Sequence, residues 1–268
     1  MVNPPLALGL FLSILTTVSF ATTNDCLEKS HDRFYSIGNH DFKIISEGSY
    51  TYYIPERLQK NCKAPVVAFA VGTLMPSSLY RHWHKHFASH GFAVVADHNT
   101  MAITGRSLKR GIDRIYRMHP DKLAPVAATI GHSQGGAGAL YARTHEKVTT
   151  VIGIQPGQFP IASRAKINFL GLAGTTDVFG VLTDPSLFHY RQVKGPKFYG
   201  NLAGAGHITD TIRDGEKARS YRAMATAWLR CFLSKERESC SLFTGPEKCS
   251  AFKGNWRHCK HANLGGLQ

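Results

Sequence analysis

A serine stands among four glycines near the middle of the chain. The stretch TIGHSQGGAGALYA, residues 129–142, follows an apolar run and leads into a segment typical of a helix. Gly131 and Gly135 complete a G-x-S-x-G pattern around Ser133, and a sharp strand-to-helix turn needs such small neighbours where the backbone crowds itself. The central serine is exposed at such a turn, close to the N–H groups that begin the helix. Ser133 is therefore a candidate nucleophile, and a tight structural turn is the alternative.

A serine becomes a nucleophile only with a base, and the base needs a carboxylate that orients it. In folds that carry this turn, the chain order is serine, then acid, then histidine. Asp177 in LAGTTD and His207 in NLAGAGH follow in that order. Each comes after an apolar run that predicts a strand, so both side chains are expected where the carboxyl ends of the strands lie. Ser133, Asp177 and His207 are thus a predicted catalytic triad.

Asp184 and His189 are the alternative acid and base. Asp184 lies farther from a predicted strand end, and His189 belongs to LFHYR, which has an amphipathic pattern. His132 adjoins the serine, but neighbouring side chains on a sharp turn point apart, so it is predicted to pack in the interior. The sequence therefore favours Asp177 and His207.

The oxyanion formed by attack on a carbonyl needs backbone N–H donors. One is expected from Gln134, directly after the nucleophile, and the second from Thr73 or Leu74 in the loop GTLMPSS. The sequence does not decide between these two loop residues. Met75, in the same loop, is expected to line the pocket for the acyl group.

Strands and helices are predicted to alternate along the chain. Apolar runs rich in valine and bounded by Gly or Pro predict buried strands, and longer amphipathic segments predict helices. The strands are expected at 64–72, 92–97, 124–131, 148–156, 165–174 and 196–207, and the helices at 78–91, 107–119, 134–146 and 216–236. This alternation predicts an α/β fold with a mainly parallel central sheet flanked by helices.

Three parts are expected along the chain. LALGLFLSILTTVSF is too short to span a bilayer comfortably and ends near the small residues Ser19 and Ala21, so residues 1–21 are predicted to be a signal peptide. A buried N-terminal strand or helix is the alternative. Residues 22–235 form the predicted α/β domain. Cysteine, glycine and polar residues then replace the periodic apolar ones, so residues 236–268 are predicted to be a Cys-rich C-terminal extension.

Six cysteines lie outside the predicted signal peptide, and none belongs to a C-x-x-C pair. An even number in an exported chain predicts disulfides, here three, and an oxidising compartment. We therefore expect a secreted or periplasmic protein. Proximity in the chain favours pairing of Cys26 with Cys62. The remaining four are then expected to pair among themselves: Cys231, Cys240, Cys249 and Cys259.

The net charge is +14, from 32 Lys and Arg against 18 Asp and Glu. Such a balance favours attraction to anionic surfaces. The basic residues are scattered without a run of five, so dedicated nucleic-acid binding is not indicated. A hydrophobic fraction of 43% is that of a globular chain, and a monomer is expected.

Four histidines fall on one predicted helix: His82, His84, His86 and His90. Pairs spaced i, i+4 on a helix can hold zinc. No Glu completes an H-E-x-x-H pattern here, so no metal is expected and a polar helix face is favoured.

The tail carries aromatic residues among its cysteines: Phe243, Phe252 and Trp256. One interpretation is a small patch that binds carbohydrate or another surface. A disulfide-stapled cap over the last long helix is favoured instead, because small tails need staples to become ordered.

Four segments together resemble the α/β-hydrolase superfamily: GTLMPSSLYRHWHKHFASHGFAVVADH, GHSQGG, AGTTD and AGAGH. Within it they are most similar to the branch of dienelactone hydrolases, chlorophyllases and cutinase-like polyester hydrolases, over roughly residues 40–233. The resemblance implies an α/β-hydrolase fold and a carboxylic-ester hydrolase that needs no cofactor and forms an acyl-enzyme. It assigns Ser133 as nucleophile, Asp177 as acid and His207 as base, with oxyanion donors as above.

The chain departs from that branch at three places near the site. Gln134 stands where polyester hydrolases usually have Met, and Pro156-Gly157 stands where they have Pro-Trp. The loop after Gly72 also lacks their usual aromatic residue. Gly157 is therefore a substrate-binding position without an aromatic ring, and we expect little activity on aromatic polyesters.

The sequence thus predicts a secreted serine hydrolase that cleaves carboxylic esters, with a small-to-medium, lipid-like or polymeric ester as substrate. Two alternatives remain at this point. One is a peptidase or amidase with the same triad, and the other is a non-catalytic surface-binding protein on the same fold.

Overall fold

The computed structural model describes residues 32–56, 58–59, 61–159, 165–180, 184–245 and 248–266. The predicted signal peptide at 1–21 and Cys26 lie outside these residues. Among the described residues, no helix combines the length and the hydropathy that crossing a membrane requires.

In the described part of the chain, nine strands form one sheet with the order β1-β2-β4-β3-β5-β6-β7-β8-β9. Their bounds are β1 Phe42–Glu47, β2 Tyr50–Pro55, β3 Ala64–Ala70, β4 Ala93–Asp97, β5 Leu123–His132, β6 Val148–Ile154, β7 Asn168–Gly174, β8 Lys197–Leu202 and β9 Trp256–Ala262. The strands from β4 through β8 run parallel, and β1, β2 and β9 add antiparallel pairs at the two sides. The sheet is therefore mostly parallel, as predicted.

Helices cover both faces of the sheet. Their bounds are α1 Arg81–Ser89, α2 Arg106–Met118, α3 Gln134–Ala142, α4 Pro185–Gln192, α5 Thr209–Ile212, α6 Glu216–Ser234 and α7 Arg237–Thr244. One apolar core joins the sheet to α1, α6 and α7, and a second joins its other face to α2 and α3. Along β3 the side chains alternate between the cores, so that Phe69 belongs to the first and Ala68 to the second. A strand buried on both faces explains the continuous apolar run in its sequence.

Several of the predicted elements need correction. The strand expected at 196–207 ends at Leu202, so His207 lies in the loop that follows β8. The helix expected at 134–146 ends at Ala142. The β1–β2 hairpin was not predicted, because most side chains of β1 are exposed or half-buried and its sequence FKIISE carries little apolar signal.

Two disulfides staple the C-terminal part. Cys231 is bonded to Cys240, which joins α6 to α7, and Cys249 is bonded to Cys259 on β9. The prediction that these four cysteines pair among themselves is confirmed. Cys62 is also disulfide-bonded, while its predicted partner lies outside the described residues. Disulfides of this kind indicate an oxidising, extracellular environment.

The tail aromatic residues are core residues. Phe243, Phe252 and Trp256 are 0%, 3% and 7% exposed, so the interpretation as a binding patch is wrong. The ring centroid of Phe243 lies 5.0 Å from that of Trp228 on α6, and the ring of Trp256 lies 5.6 Å from that of Tyr221 on the same helix. The tail therefore packs onto the last long helix, and β9 extends the sheet itself.

Candidate active site

Ser133 occupies the turn between β5 and α3 with φ 54° and ψ −127°. Positive φ is rare for a residue with a side chain and costs on the order of 1–3 kcal/mol, so the surroundings must hold it. The Ser133 N–H donates to the carbonyl of Ile154 at 3.0 Å, and its own carbonyl accepts from the N–H of Gly157 at 2.7 Å. A Cβ atom on Gly131 would lie 2.1 Å from the Gly135 carbonyl oxygen, which explains why glycine is required there.

His207 and Asp177 meet at the carboxyl ends of β8 and β7. The Nδ1 atom of His207 lies 2.9 Å from Oδ1 of Asp177, and these side chains are 9% and 6% exposed. The two atoms are within hydrogen-bond distance, but the direction of the Nδ1–H bond does not meet hydrogen-bond geometry. Oδ1 of Asp177 also accepts the N–H groups of Phe179 and Gly180, at 3.0 and 3.2 Å. These bonds fix the carboxylate beside the imidazole.

The alternative acid and base have other roles. Asp184 caps α4 by accepting the N–H of Leu187 at 3.0 Å, and its second oxygen accepts the Tyr199 hydroxyl. His189 is fully buried, and its Nε2 atom donates to the carbonyl of Gly157 at 2.9 Å. Burial lowers the pKa of His189 below its ordinary value. The structure thus brings Asp177, and not Asp184, to His207.

Ser133, Asp177 and His207 line one cavity of about 490 Å³. The Ser133 hydroxyl forms no hydrogen bond with another described residue, and it is free to meet a ligand in the cavity. Apolar side chains form much of the remaining wall: Met75, Pro156, Phe159, Phe179, Pro185 and Ile208. Met75 thus lines the same cavity as the candidate nucleophile.

The backbone donors around Ser133 can now be distinguished. Gln134 is the first residue of α3, and the first N–H groups of a helix have no acceptor within the helix. The Leu74 N–H already donates to the carbonyl of Thr100 at 3.1 Å, whereas the Thr73 N–H has no hydrogen-bond partner among the described residues. Thr73 lines the cavity and Leu74 does not. Gln134 and Thr73 are therefore the available pair of donors.

The phenyl rings of Phe159 and Phe179 line the cavity, although Gly157 itself carries no ring. A Cβ atom on Gly157 would lie 3.1 Å from Cε2 of Phe159, so that ring fills the space beside this glycine. The Phe179 ring lies 4.7 Å from the His207 ring, centroid to centroid. The sequence departure at Gly157 therefore does not leave the cavity without aromatic surface. Phe159 follows the same strand end in the segment IQPGQF, and this position could have indicated it.

Exposed apolar side chains also belong to, or adjoin in the chain, the residues that line the cavity, and we call this set the apolar rim. Its members are Leu74, Val178, Phe179 and Ile208, with exposures of 76%, 76%, 68% and 38%; Phe179 and Ile208 line the cavity, and Leu74 and Val178 are next to lining residues in the sequence. They are half of the large hydrophobic residues that the described part of the chain exposes. Leu74 also has φ 58°, a left-handed conformation that is unusual for leucine. Clustered exposed apolar groups indicate contact with an apolar ligand or surface.

Two buried residues that the sequence did not assign to the site hold the His207 loop. Gln155 directly follows β6 and has φ 43°, and its Nε2 donates to the carbonyl of Gly206 at 3.1 Å. His132 is 1% exposed, as interior packing predicts, yet its Nε2 atom lies 2.8 Å from the carbonyl oxygen of His207. Side-chain contacts to a loop distant in the chain leave no local signal in a sequence.

The histidines of α1 do not form the polar helix face that the sequence favoured. His84, His86 and His90 are buried, and burial lowers the pKa of His84 to about 3 and that of His90 to about 4. His82 donates to the carbonyl of Thr211 at 3.1 Å. Within the described ranges, no group of three or more His, Cys, Asp or Glu side chains is arranged to hold a metal ion.

No protein-family model matches the chain, and no curated protein matches it significantly. A function for this chain must therefore be inferred from the geometry of this cavity.

Proposed function

We propose that this chain is a serine hydrolase of the α/β-hydrolase type that cleaves carboxylic esters. The contact between Asp177 and His207, in the cavity that Ser133 also lines, carries the proposal. The strained turn at Ser133 supports it, because such strain is retained where an exposed side chain has a function.

In the proposed reaction, Oγ of Ser133 attacks the ester carbonyl carbon while Nε2 of His207 takes its proton. The carbonyl oxygen becomes an oxyanion and accepts the N–H groups of Gln134 and Thr73. The imidazolium, stabilised by Asp177, then gives its proton to the departing alcohol, which leaves an acyl-enzyme. Water, deprotonated by His207, attacks the acyl carbon, and the proton returns to Oγ of Ser133 as the carboxylic acid leaves.

The apolar wall of the cavity and the apolar rim favour an ester substrate with a small-to-medium apolar acyl chain. Met75 and Phe159 offer such a chain surface inside the cavity, and Leu74 and Val178 offer it outside. Burying apolar area contributes about 25 cal/mol per Å², so these contacts favour lipid-like or aggregated esters over small polar ones. The net charge of +14 adds attraction to anionic surfaces.

One observation favours an amide substrate as a second candidate. The Oε1 atoms of Gln134 and Gln155 are buried, line the cavity region, and have no hydrogen-bond partner among the described residues. A side-chain rotation that turns either oxygen into the cavity would let it accept an N–H group of a bound amide or peptide, which an ester lacks. The same triad chemistry then yields an amine as the leaving group.

The test compares p-nitrophenyl esters of increasing acyl length with the matching p-nitroanilides, for the wild-type chain and for Ser133→Ala. We expect the wild type to hydrolyse the esters faster, with an optimum at a short or medium chain, and Ser133→Ala to be inactive. Faster hydrolysis of the anilides would favour the amidase. Absence of both activities in a folded, disulfide-bonded protein, together with no labelling of Ser133 by a fluorophosphonate, would rule out the proposal.

A further inference from the structure

A chain of buried polar groups connects the loop after β3 to the loop after β8. The Gly72 N–H donates to the Tyr80 hydroxyl at 3.2 Å, and this hydroxyl lies 2.7 Å from Nδ1 of His132. Nε2 of His132 lies 2.8 Å from the carbonyl oxygen of His207. Tyr80 and His132 are 0% and 1% exposed, so water does not compete for these bonds.

The chemistry of each group fixes the direction of every bond in this chain. A carbonyl oxygen only accepts, so Nε2 of His132 must carry a hydrogen. Burial lowers the pKa of His132 to about 3, and the neutral ring then has a bare Nδ1 that accepts the Tyr80 hydroxyl. The lone pairs of the Tyr80 oxygen remain available for the Gly72 N–H. The opposite tautomer of His132 would place two acceptors against each other at 2.8 Å.

Both ends of this hydrogen-bond chain belong to the proposed catalytic machinery. Gly72 directly precedes Thr73, whose N–H is the available oxyanion donor in that loop. The other end is the backbone of His207, the proposed base, whose ring also lies 4.8 Å from the His132 ring. His132, in the middle of this hydrogen-bond chain, is joined to Ser133 by one peptide bond. The hydrogen-bond chain therefore connects the oxyanion loop, the nucleophile and the base.

We propose that Tyr80 and His132 are positioning residues that hold the oxyanion loop and the His207 loop at a fixed separation around Ser133. The inference rests on the proposed function. This positioning role explains why a histidine precedes Ser133. An apolar residue would fill the same space but would form neither the bond to Tyr80 nor the bond to the carbonyl of His207. Space around the chain is tight, since a Cβ atom on Gly72 would lie 3.0 Å from Nδ1 of His132 and 3.1 Å from the Tyr80 oxygen.

A second set of bonds holds the same loop from the side of α1. The carbonyl of His207 also accepts the Thr211 hydroxyl, and the carbonyl of Thr211 accepts from Trp83 at 2.8 Å and His82 at 3.1 Å. The loop therefore stays folded when one donor is lost. Replacing His132 is expected to change the placement of His207 more than the stability of the fold.

The kinetic test uses two replacements of His132 that keep different halves of the imidazole. His132→Gln can place an amide N–H where Nε2 donates to His207, and His132→Asn can keep only the contact with Tyr80. We expect His132→Asn to lower kcat about 10- to 100-fold with KM within about twofold, because misplacement by about 1 Å costs that much. His132→Gln is expected to recover most of the loss. Tyr80→Phe, which keeps the ring packing, is expected to lower kcat about threefold to tenfold.

Matched controls separate positioning from stability. His90→Gln removes another buried imidazole whose Nε2 donates to a backbone carbonyl, that of Ser36 at 3.1 Å, away from the cavity. Tyr116→Phe removes a hydroxyl that donates to the carbonyl of Ala124 at 2.6 Å. Both are expected to lower the melting temperature without changing kcat. Unchanged kcat in His132→Asn and Tyr80→Phe, or no recovery in His132→Gln, would overturn the inference.

The directions of these hydrogen bonds depend on the tautomer of His132, which can be measured without an activity assay. In protein labelled with ¹⁵N-histidine, we expect Nε2 of His132 to show the shift of a protonated ring nitrogen and Nδ1 that of an unprotonated one, with the signals assigned from His132→Gln. A protonated Nδ1 or a cationic ring of His132 would overturn the inferred directions of these hydrogen bonds. Activity that survives Ser133→Ala instead refutes the proposed function, so the two failures are distinct.

Discussion

Nδ1 of His207 lies 2.9 Å from Oδ1 of Asp177, although the two residues follow different strands of the sheet. The loops after β7 and β8 meet because these strands are parallel neighbours, paired from Phe169 with Lys197 to Gly174 with Leu202. An acid and a base are thus brought together by strand order alone, at the edge where parallel strands end.

Ser133→Ala is expected to lower ester turnover by at least about a thousandfold, because a triad nucleophile accounts for that much of the rate. The fold is expected to remain, since the turn is held by backbone bonds to Ile154 and Gly157. Steady-state kinetics and circular dichroism on the purified, oxidised protein check both parts. Near-normal turnover in a folded variant would remove Ser133 from the mechanism.

Asp177→Ala is expected to lower kcat about 10³- to 10⁴-fold, because the imidazolium of His207 then has no carboxylate partner. Asp184→Ala is expected to cost about 1 kcal/mol of stability through loss of the cap of α4, with kcat nearly unchanged. Kinetics and urea unfolding of the two variants, run in parallel, measure the contrast. If Asp184→Ala proved the more damaging to kcat, the acid would have to be reassigned.

Acid is expected to destabilise the protein through its buried histidines. Burial lowers the pKa of His84 and of His132 to about 3, from an ordinary value of 6.5. The unfolded chain therefore binds these protons first, so the stability is fully present above about pH 6.5 and is lost progressively as the pH falls toward 3. Each such group removes about 1.4 kcal/mol per pH unit within that window.

His84→Gln isolates one of these groups. His84 packs between the rings of Tyr53 and Phe69, at 5.5 and 5.1 Å, and its Nε2 has no hydrogen-bond partner among the described residues. The free energy of unfolding of this variant, measured by urea between pH 7.5 and 4.5, is expected to depend less steeply on pH than that of the wild type. Equal slopes for the two proteins would contradict this prediction.

The two rim residues outside the cavity wall, Leu74 and Val178, are expected to matter for aggregated substrates only. Leu74→Asn keeps a residue that tolerates positive φ while it removes the apolar side chain. We expect it, combined with Val178→Ser, to lower hydrolysis of emulsified esters about fivefold or more and to leave a dissolved short-chain ester within about twofold, because each lost side chain forfeits roughly 1–2 kcal/mol of burial at a surface. Ile37→Asn is the control, since Ile37 is 64% exposed and, unlike Leu74 and Val178, has no cavity-lining residue next to it in the chain. Equal losses on both substrates would argue against a surface role.

Phe159→Ala is expected to lower kcat/KM for aromatic acyl esters about twofold to tenfold more than for aliphatic esters of similar size, because ring stacking adds about 0.5–1.5 kcal/mol beyond burial. The wild type is still expected to release less product from an aromatic polyester film than from a short-chain ester, since Gly157 offers no ring of its own. Rates on a benzoate and a hexanoate ester, and on a film, provide the comparison. Rapid release from the film would show that Phe159 and Phe179 together replace the missing ring.

The parts of the site that are local in the chain could be predicted, and the parts that depend on distant contacts could not. Gly131 and Gly135 are required by the backbone of one turn, so their spacing around Ser133 is visible in the sequence. The choice between Thr73 and Leu74 depends on the carbonyl of Thr100, which lies on a neighbouring loop. No local pattern could have shown it.

The fold divides in the same way. The buried parallel strands have continuous apolar sequences, and the alternation with helices predicted them. The strand β9 has the sequence WRHCKHA, with four basic or histidine side chains, and it joins the sheet only because β8 offers an open edge. The burial of Trp256 in that pairing could not be deduced from composition.

The pairing of β8 with β9 has a consequence for how this protein is made. β8 is synthesised well before β9, and until β9 arrives its outer edge presents unpaired N–H and C=O groups to other chains, which promotes aggregation. The Ala203 N–H, at the start of the loop to His207, donates to the carbonyl of Asn255 at 2.9 Å. This loop therefore also depends on the tail for one of its hydrogen bonds. Oxidation that joins Cys249 to Cys259 then ties β9 to the preceding tail segment, whose Ala251 packs in the core. Expression in a reducing cytoplasm is therefore expected to yield insoluble protein, and export to an oxidising compartment to yield soluble, active protein.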